Sequence, residues 1–126
     1  MSPKATLAMR ITGWVLHGLI GALLLFAGAG KAFKLVPEMV EGLQKAGLGD
    51  YTTLIGGGAL ATAILLLIPR TMSIGLLLAC SYWGGAILSH MMQHDNGEVV
   101  LISVFLAMTW AGAFLRDPRT LGGLVK

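Results

Sequence analysis

Charge is scarce in this chain. Of its 126 residues only 12% are charged, against about 25% in an ordinary soluble domain. Such a sequence cannot coat its own surface in charge, and lipid is the solvent it implies. The net charge of +3 is modest, and its basic residues form neither run nor stripe, which excludes a nucleic-acid surface. Cysteine occurs once, at Cys80. One thiol can form neither an internal disulfide nor a CxxC pair, so dithiol exchange by this chain alone is excluded. There is no HExxH, no nucleophile elbow and no dinucleotide fingerprint. Gly28-Ala29-Gly30-Lys31 lacks the preceding strand and the following Ser or Thr of a phosphate loop.

What the chain does have is long apolar runs. Four segments, about 11–30, 51–68, 73–92 and 99–115, each have the length a helix needs to cross a hydrocarbon core. Backbone polar groups in lipid must be satisfied within the element, so helices are expected. The runs are too uniformly apolar for the alternating strands of a membrane barrel. The first run is longer than a signal-peptide core and is read as a retained span. No carboxylate lies inside any of the four. Pro69-Arg70, His94 to Gly97 and Arg116 to Arg119 break the chain between or after them. Pro37 to Ala46 begins with a proline, which suits a first helical turn. Its apolar residues Met39, Val40, Leu43 and Ala46 fall at helical spacing. A short amphipathic helix at the interface, about 37–46, is expected there. The fold class is thus all-α: one transmembrane domain over 1–126, an integral membrane four-helix bundle with an interfacial helix between the first two spans.

Four spans put both termini and the second loop on one side. Lys4, Arg10, Arg70, Arg116, Arg119 and Lys126 lie there, against Lys31, Lys34 and Lys45 on the other. By the positive-inside rule both termini are expected in the cytoplasm, in a multi-pass protein of the plasma or inner membrane.

The candidate site residues are the polar groups within the spans. Ionisable residues in a membrane are costly and are functional candidates by default. Gly13, His17, Gly21, Gly28 and Lys31 share one face of the first span. Ala79, Trp83, Ala86, His90 and His94 form a stripe on the third, flanked by Tyr82. The two stripes are expected to face each other and to leave a ligand site lined by His17, Lys31, Tyr82, Trp83 and His90. Lys31 is alternatively a snorkelling lysine or a partner of Glu38 or Glu41. His90 and His94, at i, i+4, have a spacing that suits a metal, but helix-end hydrogen bonding explains the pair at lower cost, and no metal site is expected. The glycine clusters Gly56 to Gly58 and Gly84-Gly85 read first as close-packing surfaces between helices, and Gly84-Gly85 second as room for a ligand.

Taken together, LLLFAGAGKAF at the end of the first span, PEMVEGLQKAGL, the IGGG start of the second, the IPRT loop, GGAILSH and the closing RDPR resemble the DoxX-like membrane proteins over nearly the whole chain. The resemblance implies a four-helix membrane protein associated with a redox or quinone-linked complex, the founding name coming from a subunit of a thiosulfate:quinone oxidoreductase. It draws attention to Lys31 and His90. It implies a non-catalytic or accessory subunit, with a quinone or lipid between the first and third spans, redox-complex partner subunits or a homo-oligomer as partners, and no nucleic acid. The alternatives are a membrane enzyme acting on a lipid or quinone-like molecule, with His17 or His90 as acid or base, and an oligomeric transporter or channel. Many relatives carry a glutamate in the second span where this chain has Ala59, which weighs against carboxylate-dependent chemistry.

Overall fold

A computed structural model describes residues 5–122. The described chain is helical. It runs α1 (Leu7–Ala32), α2 (Pro37–Lys45), α3 (Thr52–Leu67), α4 (Met72–Met92), α5 (Asn96–Arg116) and α6 (Arg119–Gly122). A 3₁₀ turn, Gly49–Tyr51, leads into α3, and another, Pro69–Thr71, leads into α4. The long helices α1, α3 with its leading turn, α4 with its leading turn, and α5 are the four apolar elements long enough to cross a membrane.

The helix ends follow from identifiable residues. The Thr6 hydroxyl accepts from the Met9 amide and caps α1. Pro37 occupies the first turn of α2, where a missing N–H costs nothing. Gly47, at φ 78°, ends α2 in a Schellman turn: the Leu48 amide donates to Leu43 O and the Gly47 amide to Gln44 O. The same turn closes α4, with Asp95 N to His90 O at 3.0 Å and His94 N to Met91 O at 3.1 Å. There the left-handed position is His94, at φ 59°. Asp95 then starts α5, its carboxylate accepting from the Glu98 amide.

The four spans form an antiparallel bundle. α1 packs along α3 and α5, and α4 packs on the same two helices from the opposite side. α1 and α4 therefore lie across the diagonal. This corrects the expectation that the small stripe of the first span packs against the third. Glycines explain the difference. A Cβ on Gly28 would lie 2.9 Å from Gly56 O of α3, and one on Gly56 would strike the Ala32 backbone. A Cβ on Gly13 would lie 2.6 Å from Arg116 N and 2.9 Å from Gly112 O of α5. The stripe thus faces both lateral neighbours, and close backbone approach replaces the hydrophobic drive that lipid withholds. Gly75 does the same between α4 and the backbone of Leu66 on α3. Ile20, Leu24, Ala59, Ala63, Leu66, Leu76, Ala79, Trp83, Ile102 and Ala113 form the core. Leu19, Phe26, Leu54, Leu77, Leu88 and Val100 point outward, as lipid-facing residues do.

Candidate functional site

Two polar constellations cross the bundle. The first joins all four spans. His17, on α1, has no exposed surface. One ring nitrogen, Nε2, lies 2.8 Å from the Thr109 carbonyl of α5. The other, Nδ1, lies 2.8 Å from Arg116 Nη1. A carbonyl can only accept and a guanidinium can only donate. The neutral Nε2–H tautomer satisfies both contacts at once. Thr109 Oγ1 in turn accepts from Trp83 Nε1 of α4 at 3.2 Å and donates to Phe105 O at 2.8 Å.

Arg116 carries the network to α3. Its guanidinium donates to Leu66 O at 2.6 Å and to Leu67 O at 3.2 Å. Helix ends leave their last carbonyls without intrahelical partners, and at the end of α3 each finds a donor. Ile68 N serves Ile64 O, Thr71 Oγ1 serves Leu65 O, Arg116 serves Leu66 and Leu67, and Thr71 N serves Ile68. A cation also suits the negative end of the helix dipole. The Trp14 ring completes the enclosure, its centroid 3.7 Å from the Arg116 guanidinium carbon, a cation–π distance. No carboxylate pairs with Arg116 among the described residues. Three carbonyl or imidazole acceptors, a helix dipole and an indole face hold it instead.

Arg116 is a correction to the sequence reading, which placed it in the closing loop as a membrane-flanking cation. It belongs to α5 and is only 7% exposed. A signal existed: Ile102, Phe105, Thr109, Gly112 and Arg116 recur at spacings of three and four, a helix seam that ends on the arginine. Trp14 belongs to the same constellation.

The second constellation bridges the diagonal. Lys31 Nζ donates to the Tyr82 hydroxyl at 2.6 Å and lies 5.1 Å from the Tyr82 ring centroid. Side chains on a helix tilt toward its N-terminus, so a lysine near the end of α1 reaches back into the bundle. The ammonium is drawn inward to a residue midway along α4, and it pairs with neither Glu38 nor Glu41. Tyr82 stands edge-on to Trp83, with centroids 5.2 Å apart, and Trp83 tilts onto Phe105 at 5.4 Å. On the same helix, a Cβ added to Gly84 or Gly85 would meet no atom within 4 Å. These glycines leave open surface and make no close helix contact, and Gly57 and Gly58 behave alike.

The five expected site residues are thus divided. His17 and Trp83 share the first network through Thr109. Lys31 and Tyr82 bond to each other, and Tyr82 touches Trp83. His90 stands apart near the end of α4, with Nδ1 3.4 Å from Asp95 Oδ2. That contact is too poorly aligned to be a hydrogen bond, and the buried Nδ1 has no hydrogen-bond partner among the described residues.

Compared with known proteins, residues 15–112 match a family model described as the DoxX-like family. No curated protein and no solved structure matches the chain.

Proposed function

The chain belongs to the DoxX-like family, and from that membership we propose that it is a non-catalytic, accessory subunit of a membrane redox complex that takes a quinone-like ligand. The observation that carries the non-catalytic part is the state of its deepest polar groups. Both nitrogens of His17 and three donors of Arg116 are engaged with the bundle itself. A general acid or base needs a reacting partner within hydrogen-bond reach, and His17 has spent both ring nitrogens on the Thr109 carbonyl and on Arg116. Their role is to fix four helices in one arrangement.

The ligand reading is supported by the second constellation. Lys31 and Tyr82 present an ammonium and a hydroxyl to the diagonal between the first and third spans. Gly84 and Gly85 leave open surface on the helix that carries Tyr82 and Trp83. A flat ring with carbonyl oxygens suits that combination of apolar wall and few convergent donors. The test is extraction from native membranes in mild detergent, followed by mass spectrometry of bound lipids and proteins. A partner subunit or a quinone is expected to co-purify, and Tyr82→Phe with Lys31→Met is expected to lose the quinone while the bundle stays folded. Recovery of a bare, ligand-free homo-oligomer would overturn the reading.

A further inference from the structure

The end of the bundle that carries the termini holds a groove unconnected with the proposed quinone surface. Its volume is about 440 Å³, and its wall includes Arg10, Trp14, Arg116, Asp117 and Arg119 with Pro69 and Met72. That size falls within the roughly 300–1,000 Å³ of small-molecule sites. Three arginines and one aspartate line it. The carboxylate is already engaged: Asp117 accepts from Arg119 Nε at 3.0 Å and from Arg119 Nη2 at 3.3 Å. Arg10 is exposed and enters no side-chain hydrogen bond or ion pair among the described residues. Arg116 has five N–H donors and gives three of them to His17, Leu66 and Leu67. The groove is therefore a positively charged recess with donors to spare.

A second hollow adjoins it. About 410 Å³ of surface recess on α1 is lined by Leu7, Arg10, Ile11, Trp14 and Val15. The two share Arg10 and Trp14. One is charged and the other is largely apolar, and they meet at a tryptophan near the start of α1, where indoles favour the membrane interface. We propose that these joined recesses form a binding site for an anionic phospholipid, the phosphate held among Arg10, Arg116 and Arg119 and an acyl chain laid along Leu7, Ile11 and Val15. Guanidinium groups pair with phosphate oxygens bidentately and with little hydration cost. The shared chemistry is a phosphate anion, and the apolar hollow is what selects a lipid over the free ion.

The full chain in detergent is titrated with phosphatidylglycerol, with phosphatidylcholine and with inorganic phosphate, and bound species are counted by native mass spectrometry. Phosphatidylglycerol is expected to be retained over phosphatidylcholine. Arg10→Gln is expected to weaken that retention about fivefold, the worth of one interfacial cation. Asp117→Asn keeps a side-chain acceptor for the Arg119 amide while removing the competing charge, and is expected to strengthen it. Arg70→Gln lies at the same end of the bundle but outside the groove, and is expected to change nothing. Unaltered thermal unfolding of Arg10→Gln separates a lost contact from a lost fold. Equal retention of the two lipids, or equal losses in Arg10→Gln and Arg70→Gln, would overturn the site. If inorganic phosphate displaces phosphatidylglycerol in an Arg10-dependent way, the phosphate chemistry stands and the assignment to a lipid fails.

Discussion

Arg116 is the residue on which one end of the bundle turns, where α1 begins and α5 ends. It is a cation within a membrane helix, has no carboxylate partner among the described residues, and yet leaves three acceptors satisfied. Interhelical hydrogen bonds in membrane proteins contribute about 0.6–2 kcal/mol each, so Arg116→Met is expected to cost about 2–4 kcal/mol in reversible unfolding from mixed micelles. Arg116→Lys keeps the charge but loses the fork that reaches two carbonyls and an imidazole, and is expected to recover less than half of the loss. Full recovery by lysine would mean that charge alone matters. A double-mutant cycle of His17→Leu with Arg116→Met is expected to give a coupling of about 1 kcal/mol or more, since the two share a direct bond. His94 offers a change of opposite sign. It holds a left-handed backbone, φ 59°, which costs a side-chain-bearing residue roughly 1–2 kcal/mol. His94→Gly is expected to raise the unfolding midpoint, and it also removes the second imidazole of the i, i+4 pair without touching the core. Outside the spans, Arg119 hydrogen-bonds the Asp117 carboxylate and holds its pKa below the ordinary value of 3.8. That small contribution is complete above pH 3.8 and fades as the pH falls further.

At the scale of elements, glycine decides which helices touch. A Cβ on Gly112 would lie 2.6 Å from His17 Nε2 and against the ring carbon beside it, so Gly112→Ala must displace the imidazole that joins α1 to α5. Overpacking of this kind costs about 1–3 kcal/mol. Gly85→Ala meets nothing within 4 Å and is expected to be neutral or slightly stabilising. Thermal unfolding of the two single variants in one detergent reads the contrast, and equal behaviour would mean that these seams are not the contacts holding α1 in place. The helices themselves are plain in the sequence, because four long apolar runs bounded by Pro, Gly and charged breaks admit few other structures in lipid. Their pairing is not. Gly13, Gly21 and Gly28 mark a thin face on α1, but a thin face does not name its partner, and the third span suits the role on sequence grounds because it carries polar residues too. Backbone approach selects α3 and α5. For the same reason His17 and Lys31 are legible as candidates while Arg116 is not: a charged residue beside Asp-Pro-Arg reads as a loop, and only the seam from Ile102 through Thr109 places it inside.

For the molecule as a whole, burial of Arg116 changes the weight of the charge asymmetry without reversing it. Lys4, Arg10, Arg70, Arg119 and Lys126 remain on the side of the termini as flanking cations, against Lys31, Lys34 and Lys45 opposite. Lys31 is itself drawn onto Tyr82, so Lys34 and Lys45 are left as the flanking cations there. Both termini are therefore expected in the cytoplasm, with α2 and the α4–α5 turn on the outer face. The acids sort the same way, Glu38, Glu41, Asp50, Asp95 and Glu98 at the α2 end and Asp117 at the end where α5 closes, although carboxylates contribute little to the rule. Reporter fusions measure this directly. A fluorescent protein joined after the last residue is expected to light up, and an alkaline phosphatase joined there is expected to stay inactive, because that enzyme needs the oxidising outer compartment for its disulfides. The same phosphatase inserted after Gly47 is expected to be active. The same topology would set the leaflet on which each of the two proposed sites opens. The arginine groove would open on the cytoplasmic leaflet, where anionic headgroups give a negative surface potential, while Lys31 enters its helix from the opposite face. Reversed fusion activities would put the groove on the outer leaflet and remove the cytoplasmic lipid field as its source of ligand.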